Sequence, residues 1–225
     1  MTPLQFVQVL QLTDSFFPVG AFAYSDGLET ASNDGAVHDA GSLRSWLDHF
    51  LDGIFVPCDG LAIFKSMESI QQGDFQALRE LDEELTAIKP SAALRNSSQS
   101  IGKRVLTTYS GIVRDPRFDA WTPSLPHSNA PIAYAAVMSH RSINGRDAVL
   151  AFGYSRLAGI VSASLRLISI GQQQAQCVLW EVLERLPGAV DRIMQNREEP
   201  IRSFAPIMDI TQMNHRFVYS RLFRS

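Results

Sequence analysis

The chain has 225 residues, of which 45% are apolar and 19% charged, and its formal net charge is −3. Such a length and apolar share suit one domain with a sizeable core and exclude a disordered chain or a coiled-coil rod. The slightly acidic balance excludes the strongly basic footprint of nucleic-acid binding.

The N-terminus has no basic region, and Asp14 interrupts its first apolar stretch, so no secretory leader is expected. No run of about 18 apolar residues occurs, so no membrane span is expected. Cys58 and Cys177 lie far apart and outside any CxxC pair. That usage suits two reduced thiols in a cytoplasmic protein better than a secreted disulfide scaffold.

The first unusual segment is Leu10–Glu29, LQLTDSFFPVGAFAYSDGLE. It gathers Phe16, Phe17, Phe22 and Tyr24 around Pro18, Gly20 and Gly27, residues that force turns. Two readings stay open: a packed corner of the core, or aromatic anchors for a binding partner. Beyond it, Leu43, Trp46, Leu47, Phe50, Leu51 and Ile54 recur at helical spacing, with Ser42 as N-cap. A second helix is expected after Pro57, through Leu61, Ile63, Phe64 and Met67 to Gly73. Asp74 caps a third, through Leu78, Leu81, Leu85 and Ile88, with Pro90 close behind it.

Pro90 and Ser91 open a further helix to about Tyr109. Residues 110–130 carry Gly111, Pro116, Pro123 and Pro126 and read as an irregular connection. Helical spacing resumes over 131–140 and again over 146–170. In the latter, Leu157, Ile160, Val161, Leu165 and Ile168 share a face beside Ala158, Gly159, Ser162, Ala163 and Ser164. Small residues let helices approach closely, so this segment is expected at the centre of a bundle. Leu179, Val182, Leu183 and Leu186 predict one more helix before Pro187. Hairpin signals are absent: Asp26-Gly27 and Asn144-Gly145 lie between helical patterns. The expected fold is all-α, a single-domain bundle of about eight to ten helices spanning 1–225.

Chemistry is scarce. Gly102-Lys103-Arg104 lacks the glycine five residues earlier, and the preceding strand, that a phosphate loop needs. No two of the five histidines fall at i, i+3 or i, i+4, so no compact metal motif exists. Glu83-Glu84 and Glu198-Glu199 read as solvated faces. Neither catalytic residues, a metal site nor a cofactor is predicted. The second unusual segment is the end, Ile210–Ser225, ITQMNHRFVYSRLFRS. It has three arginines and no acid, and it carries Phe217, Tyr219, Leu222 and Phe223 where chain ends are usually polar. Arginine and aromatics together are the composition of interface hot spots. A last helix docking back, or a weak membrane-surface contact, would use the same residues.

At these two segments the chain resembles the UreF family of urease accessory proteins. The resemblance runs through Leu10-Gln11-Leu12, Asp14-Ser15, Pro18–Phe22, Tyr24-Ser25 and Gly27-Leu28-Glu29. It continues at Trp46-Leu47, in the spacing of Arg95, Ser98 and Gly102, at Ser162–Arg166 with Gly171-Gln172, and in Tyr219–Ser225. Three positions depart from the pattern: Ala23 for Ser or Thr, Ala93 for an acid, and Asn129 where His is frequent.

The resemblance implies an all-α, dimerising, non-enzymatic adaptor in the cytoplasm. Its implied partners are a UreD-type (also called UreH) protein, the nickel-carrying GTPase UreG, and apo-urease; nucleic acid and membrane are not among them. The alternative is a direct regulator of the GTPase cycle or a nickel conduit. Residues 205–225 would form a partner-binding tail that orders on binding, with Arg221, Leu222, Phe223, Arg224 and Ser225 making the contacts. Phe22, Tyr24, Ser25, Gly27 and Glu29 would form a second contact surface.

Overall fold

The computed structural model describes residues 1–224, apart from the side chain of Ser124. Every regular element among them is helical. Nine α-helices have nine residues or more, and two are shorter. Helix α1 (Pro3–Thr13) starts at a capping box: Thr2 Oγ1 accepts the Gln5 N–H, and Gln5 Oε1 accepts the Thr2 N–H. Pro3 at the first helical position needs no N–H partner there. Sequence periodicity leaves this helix unmarked, because much of its apolar surface, Leu4, Phe6, Val7 and Leu10, faces outward.

After α2 (Leu28–Asn33), helix α3 (Ala40–Phe50) begins three residues earlier than the Ser42 cap predicts. Asp39 is the N-cap; its carboxylate accepts the Ser42 N–H at 2.8 Å, and Ser42 sits at the third helical position. The expected break at Pro57 does not occur. The chain continues through a π-helical stretch (Leu51–Gly60) that contains Pro57 and passes into α4 (Leu61–Gln72). A π-turn bonds i to i+5, so it tolerates a ring that would clash with the carbonyl four residues back in a regular helix. Gly73 ends α4 in the left-handed region, and Asp74 caps α5 (Phe75–Ile88) through the Ala77 N–H, both as predicted.

Helix α6 (Ala92–Val113) has Ser91 as its N-cap and outruns its predicted end. The connection after it is irregular except for the single turn α7 (Pro116–Asp119) and a 3-10 turn at Thr122–Ser124. Helices α8 (Ala130–His140), α9 (Gly145–Leu167) and α10 (Gln172–Gln195) follow. Helix α10 does not stop at Pro187; that residue is exposed, so the carbonyl its ring leaves unbonded can face water. A last helix, α11 (Pro206–Asn214), leads into a 3-10 turn, His215–Phe217.

Helix α9 lies at the centre and packs on α10, α4, α1 and α2. Its close approach is at Gly153, where a Cβ would stand 2.7 Å from Leu186 and 2.8 Å from Phe55; Gly159 faces open space. Leu157, Ile160 and Val161 are buried as expected, whereas Leu165 is exposed and Ile168 lies just past the helix end. By length and composition α9 could cross a membrane. Here it is wrapped by other helices, and its Arg156 is paired inside the fold.

Asp82 makes the most heavily bonded internal joint. Its carboxylate accepts the N–H groups of His127, Ser128 and Asn129 at 2.8, 2.8 and 2.9 Å, and the Asn129 side-chain amide at 2.8 Å. Asn129 is therefore a fully buried fastener between α5 and α8. The same strand of chain passes Gly102 so closely that a Cβ there would fall 2.9 Å from two carbonyl carbons and closer still to the Ser128 oxygen.

Candidate functional site

The two segments singled out in the sequence meet in space. Gly27, with φ +84°, starts α2, and a Cβ on it would lie 2.8 Å from both Gln212 Cγ and Thr211 Oγ1. Only glycine allows both this backbone conformation and the seating of α11 against it. Helix α11 thereby reaches the N-terminal corner, and the C-terminal segment turns back across α2.

Glu29 is the junction. It is buried on the first turn of α2, where the helix dipole favours a carboxylate. Its oxygens meet His215 Nε2 at 2.7 Å and accept the N–H groups of Leu222 at 2.6 Å and Phe223 at 3.3 Å. Leu222 and Glu29 are 193 positions apart in the chain. Two further bonds close the joint: the Arg224 N–H donates to the Ala23 carbonyl at 2.8 Å, and Arg166 donates to the Phe22 carbonyl at 3.3 Å. The Arg166 guanidinium also lies 4.3 Å above the Phe223 ring.

The predicted residues divide by exposure. Phe22 is 70% exposed, and Arg221, Leu222 and Arg224 face solvent. Tyr24 is half-buried, whereas Ser25, Gly27 and Glu29 are buried; the Ser25 hydroxyl receives the Glu29 N–H at 3.4 Å. Phe223 is only 4% exposed, so in this state it fills a pocket of its own chain. The described part of the tail is docked, unlike the free segment expected from the sequence. Ser225 lies outside the described residues. His215, Arg166 and Gln212 escaped the sequence reading as site residues. Arg166 stood in the family motif, while His215 and Gln212 carry no local signal of burial.

Beneath the corner lies a cavity of about 80 Å³, bordered among others by Tyr24, Asp26, Lys89, Arg156, Asp209 and Gln212. Arg156 pairs with Asp26 at 2.7 Å and stacks on Phe50, and Lys89 pairs with Asp59 at 3.2 Å. Burial opposes the Lys89 charge, but Asp59 outweighs it and raises the lysine's pKa. Burial also raises the Asp209 carboxyl, and it pushes the neighbouring Cys58 thiol up to about 12. That thiol is neutral at physiological pH and unsuited to attack or metal binding. Gln212 Oε1, Arg156 Nε and Asp209 Oδ1 have no protein partner. The space and its polar wall suit bound water.

A separate cluster pins the 114–125 connection. His140 bonds the Tyr109 hydroxyl at 2.8 Å and Asp115 at 3.3 Å, with Phe118 and Trp121 edge-on to its ring. Arg117 holds the Asp115 carboxyl well below its ordinary range. Burial raises the Tyr109 phenol, the opposite of what an activated hydroxyl would need. Among the described residues no three His, Cys, Asp or Glu side chains are grouped to hold a metal ion.

The UreF family model matches residues 37–183. The chain belongs to the UreF family. It is 31% identical to the urease accessory protein UreF of Methylobacillus flagellatus, over 97% of each chain. The UreF of Microcystis aeruginosa is 32% identical over 96% of each. That of Pseudomonas putida is 31% identical over 99% of this chain and 98% of the relative. The family model stops short of both the corner and the tail, while the alignments with these relatives cover 96–99% of the chain. The clasp around Glu29 thus joins two parts of a UreF chain that lie outside the segment by which the family model matches it.

Proposed function

We propose that this protein is a non-enzymatic adaptor of urease maturation. It bridges a UreD/UreH-type protein and the nickel-carrying GTPase UreG, so that nickel reaches apo-urease. It works in the cytoplasm, as a dimer. Membership of a family of urease accessory proteins supports the process. The carrying observation for an adaptor role is the surface around the corner. Ile207, Ile210 and Met213 line the outer face of α11, and Phe217, Tyr219 and Leu222 continue it, all exposed. Arg216, Arg221 and Arg224 are interspersed and exposed. Large apolar side chains with arginine on an open face are the makings of a protein interface.

Co-expression with the UreD-type protein, UreG and urease, then pull-down and native mass measurement, tests the reading. Deleting residues 221–225 is expected to abolish capture of the UreD-type partner while helicity is kept. Phe22→Ala is expected to weaken assembly with little change in melting temperature, because that ring is mostly in water. An undiminished complex from both variants overturns the assignment of this surface. GTP turnover by UreG, with and without the chain, separates a bridge from a regulator.

A further inference from the structure

We propose that residues 201–205 are a lid over the end of the cavity that holds Cys58, Asp59 and Lys89. Two backbone bonds fasten this strap to the π-helical stretch, and it opens while the helices around it stay folded. The lid stands on this geometry alone and does not depend on the adaptor reading.

Pro57 prepares the seat. It has no N–H, so the Gly53 carbonyl, four places back, loses its α-helical donor. The Pro57 carbonyl lacks the donor four places on, because the Leu61 N–H turns to Cys58 instead. The strap meets these same two carbonyls: the Phe204 N–H donates to Gly53 at 3.0 Å, and the Arg202 N–H to Pro57 at 2.9 Å. Donors two residues apart on one side are the mark of an extended chain, and the side chains alternate to match. Ile201 and Ala205 are buried and Ser203 is half-buried, whereas Arg202 and Phe204 face water. Gly53 permits the approach, since a Cβ on it would lie 2.8 Å from the Phe204 carbonyl oxygen.

Ser203 borders the same cavity as Cys58, Asp59, Lys89 and Asp209. Beneath the strap Cys58 is 1% exposed, and the Asp59–Lys89 pair is buried. The neighbouring walls, the π-helical stretch and α11, have helical ladders of their own. The strap has none. Among the described residues its side chains make one ion pair, Arg202 with Glu199 at 3.4 Å, on the exposed side. Phe204 is 81% exposed, so lifting it strips nothing from the core. Pro200 and Pro206 bound the segment and keep the flanking helices from growing into it. A segment with few buried contacts opens locally at lower free energy than the core. An open lid admits water to the Asp59–Lys89 pair and to Asp209, whose Oδ1 has no protein partner.

Thiol labelling of Cys58 tests the lid. Cys177, the exposed second cysteine, is first replaced by serine, so that methyl methanethiosulfonate, a small uncharged reagent, reads Cys58 alone. Labelling of the folded chain is expected to vary weakly with urea, because lifting so short a segment exposes little surface; global unfolding would give the full equilibrium slope. Phe204→Pro deletes the N–H that bonds Gly53, on a side chain already in water. Gly53→Ala pushes a methyl against the Phe204 carbonyl, at a helical position where alanine is otherwise preferred. Each is expected to quicken Cys58 labelling by about fivefold or more, the effect of losing one backbone bond, with amide exchange in α9 and α10 unchanged. Unchanged labelling in both variants, or a urea slope equal to that of global unfolding, overturns the lid. Should either variant fold poorly, the urea slope of the Cys177→Ser chain decides by itself.

Discussion

Gly102→Ala is the sharpest test of how the fold is held. In a free helix the change would stabilise by about 1 kcal/mol. Here the new methyl meets backbone, Ser128 and Asn129, which a rotamer change cannot relieve. The loop cannot retreat cheaply either, because the Asp82 carboxylate grips three successive N–H groups over 127–129. Overpacking costs about 1–3 kcal/mol, and weakening one charge-assisted bond adds about 1.5–3 kcal/mol. After subtracting the propensity gain, the net loss is about 3 kcal/mol. For a chain of this size that lowers the melting temperature by about 6–12 °C. Gly111→Ala is the internal control, in the same helix with nothing within 4 Å of its Cβ. It should be neutral or stabilise by up to about 1 kcal/mol. Calorimetry and urea titration of both variants give the comparison. If Gly102→Ala melts within about 2 °C of wild type, the contact is softer than the geometry says, and the reasoning fails.

Two further outcomes follow from buried charge. Lys89→Met leaves Asp59 buried without its cation and is expected to cost about 3 kcal/mol or more in urea unfolding. Adding Asp59→Leu should recover most of that loss. Asp115 has a native pKa below its ordinary 3.8, chiefly through Arg117. Its contribution is therefore complete above pH 3.8 and drains away as pH falls through the lower native value. Wild type should exceed Asp115→Asn in stability at neutral pH and lose that margin in strong acid, followed by fluorescence of Trp121, which lies 5.8 Å from the His140 ring.

The local signals behaved as local physics requires. Gly73, Asp74 and Ser91 end and start helices because a left-handed residue or a side-chain oxygen settles those bonds within a few residues. Prolines were less dependable. Pro57 and Pro187 sit inside continuous helices, since a π-turn in one case and an exposed position in the other removes the usual penalty. Helix α1 was missed for a related reason: its capping box is readable, but its apolar spacing is not that of a buried stripe. Of the site, Phe22, Tyr24 and the tail arginines were visible as unusual composition. The burial of Phe223 and the roles of His215 and Gln212 were not, because nothing within several residues of them demands it.

From residues alone came the all-helical class, the helix ends at Gly73, Asp74 and Ser91, the central position of the α9 segment and the absence of a phosphate-loop motif. Each follows from periodicity or a short motif, which spans no more than a few turns of chain. The joining of residues 20–29 to residues 212–224, the polar cavity beneath them and the carboxylate that gathers both ends of the tail were decided only in three dimensions. Those contacts bridge up to 194 positions. At that separation a glutamate meant for solvent and one meant to hold a chain end look the same in sequence; only the packing that buries Glu29 tells them apart.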